Sequence, residues 1–300
     1  SRAALKDRYV RPQITNSREG RISIHDGRHP MVEHALKREM FVPNDTELNH
    51  TDQEMIIITG PNMAGKSTYM RQVAVLTIMA QTGSFIPAKS ASFAPVDRIF
   101  TRVGAADDIS TGQSTFMVEM KEVSHILCNA TKNSLILLDG IGRGTSTYDG
   151  MSIARAVVEY LNSKVHAYTL FATHYHELSD MAAENEHIKN YTVTVKERGK
   201  EITFLRRIVP GSADKSYGIH AARLAGLPES LLKRADEILE GLEVEGIKEE
   251  PAAPVIRRET ALNLFSSPII DELADLDVMS KTPIEAMEIL FRLSKEAKEG

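Results

Sequence analysis

The nine residues Gly60-Pro-Asn-Met-Ala-Gly-Lys-Ser-Thr68 constrain this chain more than any other stretch. They read G-x-x-x-x-G-K-S with a further threonine. The run before them, Met55-Ile-Ile-Ile-Thr59, is short, apolar and β-branched, the pattern of a buried strand. The run after them, from Tyr69 to Ala80, has helical character and holds neither glycine nor proline. Strand, glycine loop and helix in that order separate a phosphate loop from an ordinary glycine turn. Gly60 and Gly65 let the backbone turn its N–H groups onto phosphate oxygens, and the helix opening near Lys66 adds its positive end. Lys66 is then placed to reach the β- and γ-phosphates, with the Ser67 hydroxyl on Mg²⁺.

A phosphate loop needs an acidic residue at the end of a neighbouring strand. Ser134-Leu-Ile-Leu-Leu-Asp139 is a second apolar run and ends on one, so Asp139 is the candidate Mg²⁺ partner. Tyr168-Thr-Leu-Phe-Ala-Thr173 is a third run, closed by His174. In a parallel sheet the strand C-termini line the ligand crevice, which aims His174 at the γ-phosphate. His166 and His176 lie nearby, but H-x-H without cysteine or a third spaced ligand is poor evidence for zinc.

Strands alternating with helices predict an α/β fold with a mainly parallel central sheet. Residues 97–103 alternate like a strand. Phe116, Met120, Val123 and Leu127 recur at helical spacing and predict a helix over 115–130 with that face buried. A further helix is expected over 150–162. The N-terminal residues 1–24 read as short strands around a turn at 16–20, residues 27–30 as a turn, and 31–50 as irregular. Residues 85–88 and 91–95 read as loop and edge strand. Beyond the third strand, residues 190–195 and 201–205 read as a hairpin, and 216–225 with 228–242 as a helix-turn-helix outline. Residues 246–281 contain the Pro- and Ala-rich stretch 249–254 and read as a linker. Thr282 and Pro283 open a final amphipathic helix over 282–300. The corresponding domain expectation is 1–24, 25–214, 215–245, 246–281 and 282–300.

With 300 residues, 42% hydrophobic and 26% charged, the chain can bury a substantial core. No disulfide can form within it, because Cys128 is the sole cysteine, and that fits a reducing cytoplasm. No apolar run nears the ~18 residues of a membrane span. The start, Ser-Arg-Ala-Ala-Leu-Lys-Asp-Arg, is not a signal peptide, and the missing initiator Met suggests processing or excision from a longer chain. The net charge of −5 is uneven. From Glu240 onward 14 acidic residues face 7 basic ones, leaving 27 acidic and 29 basic before it. Neither part is the basic surface of a self-sufficient DNA binder.

Longer stretches carry a resemblance. Residues 60–68, TRVGAADDISTGQSTFMVEM at 101–120, LILLDGIGRGTSTYDG at 135–150, FATHYHEL at 171–178 and GSADKSYGIHAARLAGLP at 211–228 resemble the MutS family of DNA mismatch-repair proteins. The likeness covers about 20–300 and corresponds to the family's C-terminal ATPase portion. It implies an ABC-like P-loop ATPase, followed by a helix-turn-helix and a helical tail, that binds ATP and ADP with Mg²⁺ and works as a homodimer with composite sites. On that pattern the loop residues Gly60, Pro61, Asn62, Met63, Ala64, Gly65, Lys66, Ser67 and Thr68 hold the nucleotide. Ser67 and Asp139 serve Mg²⁺, His174 senses the γ-phosphate, and Ser114 reaches the partner subunit's nucleotide. Phe41 matches an aromatic stacked on adenine, with core packing as its alternative. The helix pair at 216–242 matches a dimerisation element, and its acidic second helix argues against DNA reading. Mismatched DNA is then bound through recognition, connector, lever and clamp domains that this chain lacks. A MutL-type repair protein is an implied partner. Residues 261–265, Ala-Leu-Asn-Leu-Phe, resemble a sliding-clamp peptide without its leading Gln, or else pack on their own domain.

Two positions depart from the family pattern. Ala64 replaces a common glycine, a change a methyl group should permit. Gly140 stands where the family has the catalytic glutamate, so weakened hydrolysis is expected. A nucleotide-binding switch that no longer hydrolyses is one rival reading. The Smr-bearing MutS paralogue is another, disfavoured because no Smr-like domain follows.

Overall fold

A computed structural model describes residues 2–15, 20–36, 40–61, 63–104, 114–198, 201–212 and 217–248. Along the chain these form α1 (Arg2–Lys6), β1 (Gln13–Ile14), β2 (Arg21–Gly27), α2 (Pro30–Ala35), β3 (Asn44–Asn49), β4 (Met55–Thr59) and α3 (Lys66–Gln81). There follow β5 (Ser90–Phe93), β6 (Ile99–Arg102), α4 (Thr115–Asn129), β7 (Leu135–Asp139), α5 (Thr147–Tyr160), β8 (Tyr168–Ala172) and α6 (Met181–Glu184). The hairpin β9 (Ile188–Arg198) and β10 (Glu201–Pro210) and the helices α7 (Gly218–Leu224) and α8 (Glu229–Lys248) complete the described chain. Residues 1–236 form one compact unit and 237–300 another, of which the described part is the end of α8.

The three apolar runs become neighbouring parallel strands. The larger sheet has the order β10-β9-β4-β8-β7-β6, parallel throughout except for the β9–β10 hairpin. Strand side chains alternate between faces. Ile56 and Ile58 of β4, with Leu135 and Leu137 of β7, pack among Met70, Val73 and Leu76 of α3. Met55 and Ile57, with Ile136 and Leu138, share the other cluster with Val123 of α4 and Val157 of α5. Helices therefore cover both faces, which explains why β4 is apolar at nearly every position rather than alternating. Ile56, Ile57 and Ile58 are fully buried, each stabilising by roughly 1.5–3 kcal/mol relative to an exposed side chain.

Contrary to the expectation from the sequence, the described part of 31–50 is not irregular throughout, although 40–43 carry no regular structure. Pro30 starts α2, whose N-cap is His29, and 44–49 form β3. The buried side of β3 is Asn44, Thr46 and Leu48, so polar residues conceal its inward face. A second, four-stranded sheet, β1-β5-β2-β3, results and packs its Ile22, Ile24, Leu48 and Phe93 into the α3-side core. In it β5 is not an edge strand, since it pairs with both β1 and β2. The start of the chain is helical at α1, and the expected turn at 16–20 lies outside the described residues except for Gly20. In α4 the fully buried positions are Glu119, Val123 and Ile126, while Met120 and Leu127 pack partly buried against the same core, so the expected Phe116–Met120–Val123–Leu127 face is turned slightly toward Glu119 and Ile126. The helix α8 runs three residues into the stretch read as linker, while 249–300, including 261–265 and the final helix, lie outside the described residues. No described helix is long and apolar enough to cross a membrane.

Candidate functional site

Strand order decides which residues meet. Because β8 lies between β4 and β7, the loop after β4, the turn after β7 and Thr173-His174 after β8 emerge side by side. Backbone bonds hold this edge, Thr173 N–H to Ile58 O at 3.1 Å and Gly140 N–H to Ala172 O at 2.9 Å.

The loop from Gly60 to Gly65 turns with both glycines in the positive-φ region, at 125° and 104°, and Gly65 begins α3 as its N-cap. Ala64 is buried in the core, so its methyl group is accommodated. Met63 is exposed, Pro61 is buried, and Asn62 lies outside the described residues. Lys66 curls back over the loop and donates from Nζ to Gly60 O at 2.6 Å and Pro61 O at 2.9 Å. Burial pushes this ammonium down to about 8, with Asp139 pulling it up and Arg143 pushing it further down. One residue on, Ser67 Oγ donates to Asp139 Oδ2 at 2.5 Å, joining the first turn of α3 to the end of β7. A hydroxyl and a carboxylate oxygen this close make a hard-oxygen pair that fits Mg²⁺. Ser67, Thr68, Lys66, Asp139, Gly140 and Arg143 all line one open cavity of about 440 Å³.

His174 reaches the same edge. Its Nε2 is hydrogen-bonded to Arg143 Nη2, which also lies 3.8 Å from Asp139 Oδ1. Burial first, then the charges of Arg143 and Lys66, bring His174 down to about 4, against the pull of Asp139. The ring is therefore neutral near pH 7.

Arg143 and Glu119 are site residues that the sequence reading quotes but leaves without a role. Glu119 is a buried carboxylate whose Oε1 accepts the Gly142 N–H at 2.6 Å, with Arg102 Nη2 3.4 Å from Oε2. It ties α4 to the turn after β7. A polar residue on the inner stripe of a helix was the available signal. Gly140 holds φ +70°, and a Cβ there would lie 2.3–2.8 Å from guanidinium atoms of Arg143. The Arg143 head thus occupies the space where a residue-140 side chain would begin.

The remaining expected residues are spread more widely. Phe41 lines a second cavity of about 230 Å³ that shares Met63, Gly65 and Thr68 with the first. Ser114 is the exposed N-cap of α4, its Oγ accepting the Met117 N–H at 3.2 Å. Asp149, a further carboxylate in the segment after β7 with no expectation attached, accepts the Ser146 hydroxyl at 2.7 Å in the cap of α5, away from the cavity lining. His166 precedes β8, at the opposite strand end from His174, and pairs with Glu54 at 3.1 Å.

The family model for MutS domain V matches residues 56–243, the span that contains all of this edge. The chain belongs to the MutS family. It is 52% identical to the DNA mismatch repair protein MutS of Acetivibrio thermocellus over 98% of its length, and 54% identical to that of Caldicellulosiruptor bescii over 99%. An archaeal relative of the same name, from Methanococcoides burtonii, is 52% identical over 99%. In each case the match covers 35% of the relative, so this MutS-family chain spans about a third of the length of the curated proteins it matches.

The contact between Arg143 and His174 sets a testable charge balance. Arg143→Ala removes one of two cations beside a ring that stays buried. The His174 midpoint should rise from about 4 yet remain below 6.5. An NMR titration of the imidazole resonances reads this, and an unmoved midpoint would contradict the placement of Arg143.

Proposed function

We propose that this chain is the ATP-binding and hydrolysing module of a mismatch-repair ATPase, coupling the nucleotide state of a dimer to conformational change on mismatched DNA. The observation that carries the reading is the meeting of Lys66, Ser67, Asp139 and His174 at one sheet edge. Residues 60–68 bind the phosphates through backbone N–H groups, with Asn62 and Lys66 as side-chain contacts. Lys66 exchanges the Gly60 and Pro61 carbonyls for β- and γ-phosphate oxygens, and the ligand's negative charge favours its protonated form. Ser67 and Asp139 would hold Mg²⁺, which would supply neutralisation of charge on the phosphates. His174 meets the γ-phosphate, and Phe41 presents an aromatic face to the base.

Hydrolysis needs a water oriented or deprotonated opposite the γ-phosphate. Gly140 has no side chain for this, and Arg143 adds a positive charge there instead. Binding is then retained while turnover is slow. A positioned base contributes about 10²–10⁴-fold. Gly140→Glu must accept left-handed backbone and displace a flexible guanidinium, so its gain falls within or below that range. Single-turnover hydrolysis by the chain and by Gly140→Glu decides the point. Equal rates sink the assignment of residue 140, and no turnover by the unsubstituted chain favours the non-hydrolysing switch.

Assembly as a homodimer is supported by exposed apolar residues on α7 and the start of α8. Leu224 is 63% and Leu231 50% exposed, whereas Leu232 is buried within its own unit and unavailable to a partner. Ser114, exposed at its cap, reaches the nucleotide of the opposite subunit in this reading. Recognition of mismatched DNA, the MutL-type partner and a sliding clamp belong to the longer protein, acting in the cytoplasm. Sedimentation with Mg-ATP, alone and with matched or mismatched duplex, tests both parts. A dimer lost on Leu224→Asp with Leu231→Asp, and indifference to the mismatch, are the expected results. An intact dimer in that variant overturns the interface, and a mismatch preference at physiological salt overturns the division of labour.

A further inference from the structure

Helix α3 carries a polar side chain that the phosphate chemistry does not use. Gln72 is fully buried, and neither its Oε1 nor its Nε2 has a hydrogen-bond partner among the described residues. Buried amides are nearly always paired, so one left open on both atoms requires a reason. Its neighbours are satisfied. Tyr69 Oη bonds with Thr46 Oγ1 at 3.0 Å and Asp45 O at 3.1 Å. Asn44 donates to Val42 O and Arg206 O and accepts the Ile208 N–H. Gly27 leaves room for the Gln72 head, since a Cβ there would lie 2.7 Å from Nε2.

Gln72 lines the second cavity, the one of about 230 Å³ that continues from the phosphate loop through Met63, Gly65 and Thr68. The other walls are mixed, with Val32, Leu36 and Phe41 on the apolar side and Asn44, Tyr69 and Arg206 on the polar side. A flat heterocycle fits such a slot when its edge satisfies the amide. We propose that Gln72 is the residue that reads the nucleobase, pairing its amide with the amino group and adjacent ring nitrogen of adenine. Adenine presents a donor and an acceptor side by side, and a glutamine amide matches both. This inference rests on the proposed ATP site and adds the group that selects the base.

Purine riboside triphosphate is ATP without the 6-amino group, so its binding would leave the buried Gln72 Oε1 unpaired. A missing partner for a buried group costs binding by about tenfold or more. The experiment compares the dissociation constants of Mg-ATP and Mg-purine riboside triphosphate for the whole chain and for Gln72→Met, which keeps the side chain's length. Inorganic tripolyphosphate serves as a probe of the phosphate loop alone. The unsubstituted chain should prefer ATP by about tenfold or more, Gln72→Met should bind the two nucleotides within about twofold, and tripolyphosphate should bind both proteins equally. The first comparison needs no substitution, so it stands if the variant does not fold. ATP binding with equal affinity for the two nucleotides overturns the role of Gln72 and leaves the phosphate site intact. Discrimination that survives in Gln72→Met also overturns it, and absence of any ATP binding overturns both readings.

Discussion

The hydrogen bond from Ser67 to Asp139 joins two segments separated by 72 residues. It exists because β4 and β7 run parallel with β8 between them, so that their C-terminal ends open onto one edge. Every other contact at the site depends on the same register. Ile58 and Ala172 carbonyls hold Thr173 and Gly140, and His174 and the 140–144 turn follow from those anchors. The strand order therefore determines the site's composition before any ligand is considered.

Charge is distributed unevenly at that edge. Lys66 and Arg143 are cations there, His174 beside Arg143 is held neutral, and Asp139 is a carboxylate that acts on both cations. Lys66 is held by loop carbonyls and pushed down by burial, so it is poised to gain from an anion. With glycine at 140 the turn that follows Asp139 adds no further carboxylate to oppose the approach of a polyphosphate. The same absence that favours binding removes the group expected to activate water, and the proposal of retained binding with slow turnover follows from that one position.

Much of this was legible in the sequence, for definite physical reasons. The strands β4, β7 and β8 are buried on both faces and so appear as continuous apolar runs, and the glycine loop interrupts the first at a place only a tight turn explains. The smaller sheet was hidden because Asn44 and Thr46 face inward on β3, their polar groups satisfied by partners distant in sequence. The centre of α4's inner face was missed for a related reason. Glu119 is buried there because Gly142 and Arg102 satisfy its carboxylate, which hydrophobic periodicity cannot register. Arg143 sits inside a stretch that was read, yet its role depends on a left-handed Gly140 and on the position of His174, both properties of the folded edge.

The central claim is that the edge formed by residues 60–68 and 139–143 is a nucleotide phosphate site built around Lys66. The most direct measurement is the Mg-ATP dissociation constant of the chain beside that of Lys66→Ala, with the folded state of both checked by circular dichroism. A charge-assisted contact at a desolvated anion site is worth roughly 1.5–3 kcal/mol or more, so affinity should fall by at least about tenfold. An unchanged dissociation constant in a folded Lys66→Ala protein would contradict the account.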